Sequence, residues 1–301
     1  MTKRLFLFAA YDRDGIVDDA LLYYLRALSE LGDIIVVMDN DAAPAELRRI
    51  TAIPNVIHAT ATRHGEYDFG SYKRAYQYAR GARLLKKYDW LYLVNDSVFG
   101  PLFPLSGLLT RMEAEYQNNA FGMSGTTDSD IRRSYPFHIQ SWFVGLSAAA
   151  YRAPWFDAFM ESITHLPTKD EIVWRYEIGL SRHLMGAGIR IGRVDPNASC
   201  TDIYARGYIQ TLPFVKKLAI RNIPSLDELV RLMPSDLQTP FQAAVARHAL
   251  HKNPHYWRAI WKLKLFSRIT LASLEQSRDF STTSRYRLTI FKIIRFTFIR
   301  Y

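Results

Sequence analysis

The feature that most constrains this chain is a set of short, uninterrupted apolar runs separated by segments of helical period. Leu5-Phe6-Leu7-Phe8-Ala9-Ala10, Ile34-Ile35-Val36-Val37-Met38 and Trp90-Leu91-Tyr92-Leu93-Val94 contain no charged residue. A strand without polar alternation is buried on both faces, which is the condition of a parallel sheet lying between layers of helix. Between the runs, Asp18–Leu31 sets its apolar residues at helical spacing, and Ser71–Lys87 reads as a helix rich in Tyr and Ala. Asn55–Ala59 reads as a short strand, and two more strands are expected at Ala120–Ser124 and Gln140–Leu146. Strands alternating with helices predict an α/β fold with a mostly parallel sheet and helices on both faces.

A chain of 301 residues, 49% hydrophobic and 23% charged, can bury a sizeable core and is not of disordered composition. Its one cysteine, Cys200, excludes an internal disulfide framework, suits a reducing compartment, and reads as a small buried apolar residue. Lys3-Arg4 and the apolar run after them imitate the start of a secretion signal. The run stops at Asp12-Arg13-Asp14 with no small-residue cleavage site, so a buried first strand is the better reading. No stretch of about 18 uncharged apolar residues occurs, so a soluble or peripheral cytoplasmic protein is expected.

Charge is unevenly placed. Residues 251–301 hold eleven Lys and Arg against Glu275 and Asp279, a net of +9, while the other 250 residues hold 28 basic and 27 acidic side chains. We therefore expect a near-neutral domain over residues 1–245 and a basic, aromatic-rich extension over 246–301. In that extension Trp257, Trp261, Leu265 and Phe266 interleave with Arg258, Lys262, Lys264 and Arg268, and residues 288–300 mix large apolar residues with regularly spaced cations. The composition suits the interface of an anionic membrane, or packing of a C-terminal helix or strand on the body. No nucleic-acid-binding module accompanies the charge, so no nucleic-acid partner is expected.

In parallel α/β sheets the ligand sits outside the carboxyl ends of the strands. Three segments there carry polar residues that a core would reject. In Arg63-His64-Gly65-Glu66-Tyr67-Asp68-Phe69-Gly70-Ser71-Tyr72-Lys73, glycines bracket an acid directly before a helix whose free N–H groups suit an anion such as a diphosphate. Lys73, in the expected first turn, opposes the helix dipole unless an anion is near; alternatively Asp68 or Ser71 simply caps the helix. In Val94-Asn95-Asp96-Ser97-Val98-Phe99-Gly100-Pro101, an acid follows four apolar strand residues, which suits a divalent cation, or else the segment is only a turn. The third helix opens with Thr168-Lys169-Asp170-Glu171, a capping-box pattern. Its positions 173, 177, 180 and 184 share a face on which Glu177 is the one polar residue. A carboxylate there is either a tuned base or half of a buried pair with an arginine.

Tyr67-Asp68-Phe69-Gly70-Ser71-Tyr72-Lys73, Val94-Asn95-Asp96-Ser97-Val98-Phe99-Gly100-Pro101-Leu102, His138-Ile139-Gln140-Ser141-Trp142-Phe143 and Tyr176-Glu177-Ile178-Gly179-Leu180-Ser181 resemble, in order and distance, the rhamnan synthesis protein F family of bacterial polysaccharide and lipopolysaccharide biosynthesis. The resemblance covers roughly residues 4–200, and more loosely Asn253-Pro254-His255 with Trp257. It implies a GT-A-like glycosyltransferase fold that takes a nucleotide-sugar donor and a saccharide or lipid-linked saccharide acceptor. Asn95-Asp96-Ser97 then stands where GT-A enzymes carry Asp-x-Asp, with Mg2+ or Mn2+ on Asp96, although only one aspartate is present. Glu177 stands as the general base of an inverting transfer, with Ile178 where an aspartate is usual. His138, Gln140 and Ser141 would line the donor or acceptor pocket, and Asp68 and Lys73 the diphosphate. Tyr11 and Asp12, at the end of the first strand, would meet the base or ribose. A relative that kept the fold as a nucleotide- or glycan-binding protein without turnover is the alternative.

Overall fold

A computed structural model describes residues 2–126, 136–196, 212–222 and 226–250, together with the backbone of three strands between 273 and 300. Contacts divide the chain into two compact units, Met1–Ala244 and Val245–Tyr301.

The first unit is built on a seven-stranded sheet in the order β3-β2-β1-β4-β7-β6-β8. Its strands are β1 (Arg4–Ala10), β2 (Asp33–Met38), β3 (Val56–Ala61), β4 (Trp90–Asn95), β6 (Ala120–Gly122), β7 (Phe143–Ser147) and β8 (Ile191–Arg193); β5 (Val98–Phe99) and β9 (Val215–Lys216) form a separate pair. Strands β3, β2, β1 and β4 run parallel, β7 is antiparallel to both neighbours, and β6 and β8 are parallel. The expected mostly parallel α/β sheet is present.

Strand β1 shows why continuous apolar runs demand this architecture. All seven of its residues are buried, with Phe6, Phe8 and Ala10 facing one core and Leu5, Leu7 and Ala9 the other. The first core is closed by the helices α1 (Asp19–Ser29), α2 (Pro44–Thr51) and α4 (Ser106–Glu115), through Leu22, Leu25, Leu28, Ile50, Leu109 and Met112. The second is closed by α3 (Tyr67–Gly81) and the helices Pro154–Glu161 and Ile178–Gly186, through Tyr72, Ala75, Phe156, Phe159 and Leu184. Arg4, the one cation of β1, is buried because Glu113 of α4 takes it in a fork of 2.6 and 2.7 Å, while the Tyr92 hydroxyl donates to the same carboxylate at 2.6 Å.

Two expected starts move by more than two residues. Helix α3 begins at Tyr67, four residues before the expected Ser71, and ends at Gly81. The cause is Asp39, just past β2, whose carboxylate accepts from the backbone N–H of His64 (2.7 Å), Gly65 (2.8 Å) and Tyr67 (3.3 Å). It thereby holds the positive-φ Gly65 and Tyr67 that turn the chain into the helix. Neither Asp68 nor Ser71 caps it. Gly70 lies inside α3, where a Cβ would come within 2.3 Å of the Glu66 Cβ. Strand β7 begins at Phe143 rather than Gln140; the residues before it are held instead by the bridge Gly125–Ile139, by the Gln140 amide donating to Ser124 O at 2.9 Å, and by the Gln140 side chain, which accepts from Ser124 Oγ at 2.6 Å and Trp142 Nε1 at 3.2 Å.

The second unit contains three antiparallel strands, Ser273–Arg278, Ser284–Ile290 and Ile294–Arg300, with Tyr286 paired to Phe298 and Leu288 to Phe296. Residues 251–272, which include the Trp257–Arg268 stretch, and Cys200 lie outside the described residues. No helix among the described residues is long and apolar enough to cross a membrane.

Candidate active site

The parallel ladder between β1 and β4 sets Ala9 opposite Asn95 and so brings the ends of both strands to one edge. There the Asp96 amide donates to Ala9 O at 3.2 Å and the Asn95 amide to Trp142 O at 3.1 Å. Asn95 organises the turn: its Oδ1 accepts from the Ser97 amide (3.0 Å) and hydroxyl (2.6 Å), while its Nδ2 donates to Asp68 Oδ2 at 2.6 Å. Because α3 starts early, Asp68 stands in its first turn, facing the strand ends. Asp68 is held at a pKa of about 6, raised first by desolvation and then by the charge of Asp96, with Glu177 adding and Lys216 opposing. Part of its surface still reaches solvent, but the carboxylate is closely surrounded by protein.

Glu177 reaches the same place from the other side. The capping box expected at Thr168 is present, with Glu171 N donating to Thr168 Oγ1 (3.2 Å) and Thr168 N to Glu171 Oε2 (3.0 Å). The helix then passes through a π turn at Val173–Glu177 before resuming at Ile178. The extra residue per turn breaks the expected 173-177-180-184 stripe; the buried face is instead Ile172, Tyr176, Leu180 and Leu184. Glu177 is left at the edge of the core with its side chain 16% exposed. It forms no pair with an arginine among the described residues. Its Oε2 accepts from the Ser141 amide at 2.8 Å and hydroxyl at 2.6 Å, and its Oε1 lies 3.6 Å from His138 Nε2. The His138 ring is oriented through Nδ1 by the Pro136 carbonyl at 2.9 Å. Tyr72 of α3 donates to Ser141 O at 2.9 Å, fixing the loop that holds Glu177.

Not every expected residue joins this cluster. Lys73 sits in the second turn of α3, not the first, and its ammonium bonds the carbonyls of Glu161 (3.3 Å) and Ile163 (2.7 Å). Gln140 is buried and occupied with Ser124 and Trp142. Asp12 closes a turn by accepting from the Asp14 and Ile16 amides, both at 3.0 Å. Tyr11, 52% exposed, remains presented to solvent beyond β1. A groove of about 740 Å3 on the helical segment that carries Glu177 is lined by Trp155, Trp174, Arg175 and Arg182 and contains none of the three carboxylates.

Two residues absent from the sequence expectations complete the site. β9 pairs with β5 so that Val98 meets Lys216 and Phe99 meets Val215. The Lys217 amide donates to Ser97 O at 2.9 Å, Lys216 Nζ to Ser97 Oγ at 2.9 Å, and Lys217 Nζ lies 3.3 Å from Asp96 Oδ2. Their signal in the sequence was faint: two adjacent cations between apolar Phe214-Val215 and Leu218-Ala219-Ile220, in a body of nearly balanced charge. As for a divalent ion, Asp96 is engaged by an ammonium, and among the described residues no three His, Cys, Asp or Glu side chains are grouped to hold a metal.

A family model described as rhamnan synthesis protein F matches residues 34–203. No curated protein matches the chain. Among solved structures, it is similar to the mannosyltransferase Ktr4p from S. cerevisiae in complex with GDP (9% identity, 62% of this chain and 66% of that chain, TM-score 0.35). It is also similar to core-mannan synthase A from Aspergillus fumigatus in its Mn/GDP form (12% identity, 63% and 70%, TM-score 0.35). The chain thus spans just under two thirds of the first of these structures.

Proposed function

The chain belongs to the rhamnan synthesis protein F family, and from that premise we propose that it is a nucleotide-sugar-dependent glycosyltransferase with a GT-A-like fold. It extends a bacterial surface polysaccharide or lipopolysaccharide by rhamnose or another deoxyhexose. The observation that carries the reading is the convergence of Glu177, Asp68 and the Asn95-Asp96-Ser97 turn at the carboxyl ends of β1 and β4. This edge is where α/β sheets place their ligands.

The transfer proceeds with inversion. The Glu177 carboxylate, oriented by the two Ser141 donors, takes the proton from an acceptor hydroxyl. The hydroxyl oxygen forms a bond to the anomeric carbon, and the bond from that carbon to the diphosphate breaks with its electrons leaving on the nucleotide. Tyr11, exposed at the end of β1, stacks on the base or ribose. The protein works at the inner face of the cytoplasmic membrane, to which the basic 246–301 extension attaches it.

The test is transfer from UDP-, GDP- and dTDP-linked sugars to a saccharide acceptor, by wild type and Glu177→Gln. Glutamine keeps a carbonyl oxygen for Ser141 and removes the base, so donor affinity should stay close to wild type while turnover falls by about 100-fold or more. Turnover at the wild-type rate would remove Glu177 from the mechanism. Failure of every donor to bind or transfer would remove the glycosyltransferase reading itself.

A further inference from the structure

We propose that the Lys216–Lys217 pair is the diphosphate-binding element of this site, so that nucleotide binding needs no divalent cation; the inference rests on the glycosyltransferase reading above. The starting point is the chemistry of the turn after β4. A metal-bridged site needs a carboxylate free to coordinate, and oxygen ligands in addition to it. Here the only carboxylate of the turn, Asp96, has an ammonium 3.3 Å from Oδ2, and the neighbouring Ser97 hydroxyl accepts from a second ammonium at 2.9 Å. Two ammoniums therefore already stand at the turn where an ion would otherwise meet a departing diphosphate.

Both cations are placed by backbone, not by side-chain reach alone. Lys216 is the last residue of β9 and Lys217 the first of a 3-10 turn that ends at Asn222. In a continuing strand, adjacent side chains would point to opposite faces. Ending the strand between them lets both reach the same turn. The β5–β9 ladder and the Lys217 N to Ser97 O bond tie the pair to residues 96–99 across about 120 positions of sequence. Gly100 makes the approach possible, because a Cβ there would fall 2.5 Å from Pro213 O.

Both ammoniums lie against aromatic faces beside the turn. Lys216 is 7% exposed, with its ammonium 4.8 Å from the centre of the Trp142 ring, and Lys217 lies 5.5 Å from that of Phe99. A buried ammonium is costly to desolvate, and the aromatic faces offset part of that cost. Lysine also suits the task better than arginine at this place. Its compact ammonium rotates on a flexible stem and binds phosphate as a point charge, so Lys217 can exchange Asp96 for a phosphate oxygen without moving backbone. Asp96 then holds Lys217 in position in the empty site and is a positioning residue for it.

The experiment is calorimetric titration of the full chain with UDP, GDP and dTDP, each in EDTA and in Mn2+, repeated on Lys217→Met. The corresponding nucleosides serve as a control for the base and ribose contacts. Wild type should bind one nucleoside diphosphate in EDTA, with an affinity that Mn2+ alters by less than about threefold. Lys217→Met should lose roughly tenfold or more of that affinity in EDTA, the scale of one charge-assisted phosphate bond, with nucleoside affinity retained. Because the substitution frees Asp96, Mn2+ should then recover binding in the variant but not improve it in wild type. Binding by wild type only in Mn2+ overturns the proposal and leaves the glycosyltransferase reading standing. So does Lys217→Met binding like wild type in EDTA, or losing nucleoside and diphosphate affinity equally. Wild type that binds no nucleoside diphosphate in either buffer overturns both.

Discussion

Asp68 shows how a single residue carries a functional constraint as a stability cost. Burial and the neighbouring carboxylates of Asp96 and Glu177 raise its pKa from 3.8 to about 6. Between pH 4 and 6 the native chain therefore binds more protons at this position than the unfolded chain does, and stability falls as pH rises through that window. Above it the ionised group costs about 1–3 kcal/mol, since one pKa unit corresponds to roughly 1.4 kcal/mol. Asp68→Asn, which keeps an oxygen for Asn95, should melt at a higher temperature than wild type at pH 8, with the gap closing toward pH 4. An equal difference at both pH values would mean that the carboxylate is not strained by burial. A buried acid with a raised pKa at the mouth of a sheet, bonded to the residue that shapes the Asp96 turn, is the kind of group that marks a candidate site.

At the scale of elements, the site is assembled by three departures from regular secondary structure. Helix α3 starts early because Asp39 gathers three backbone N–H groups, and that start places Asp68 against Asn95. The π turn at Val173–Glu177 moves Glu177 out of the helix's apolar stripe and onto Ser141. Strand β9 stops between two lysines, so both meet the Asn95-Asp96-Ser97 turn. The role of Asp39 can be tested directly. Asp39→Ala leaves three amides without their acceptor and should destabilise the fold by about 2–3 kcal/mol, given that bonds to a charged group contribute about 1.5–3. It should also depress transfer beyond the loss of folded protein, because α3 carries Asp68. A drop in melting temperature with unchanged turnover per folded molecule would separate the helix start from the site.

At the scale of the whole molecule, charge is concentrated toward the C-terminal end of the sequence. Residues 1–250 carry a net charge of +1, so their field is local, whereas residues 251–301 carry +9. Such a segment is drawn to an anionic bilayer by about 1 kcal/mol per basic residue near the surface, and the attraction is screened over about 10 Å at 0.1 M salt. The full chain should therefore float with vesicles containing phosphatidylglycerol, stay down with neutral phosphatidylcholine, and leave the anionic vesicles near 1 M salt. Flotation indifferent to lipid charge and to salt would show that this charge does not hold the protein to membranes.

What the sequence determined by itself was the frame. Short runs such as Leu5–Ala10 and Trp90–Val94, set between segments of helical period, point to strands buried on both faces, and so to an α/β sheet whose ligand edge follows from strand polarity. Asn95-Asp96-Ser97 stood out because polar residues ending an apolar run are visible locally, whereas Glu177 stood out on a 173-177-180-184 stripe that the π turn does not keep. The capping box at Thr168 was legible as a local pattern. What only the tertiary structure decided were the partners. Asp39 lies 25 residues before the amide it holds most closely, Ser141 is 36 residues from Glu177, and Lys217 is 121 residues from Asp96. Lys73 and Gln140 carried local patterns of the same quality, yet the fold turned them to backbone carbonyls and to a buried hydrogen-bond network. Local spacing records which way a residue faces along its own element; whether a cation or a carboxylate lies opposite depends on strand order and on where each element stops, and those are settled only when distant segments pack.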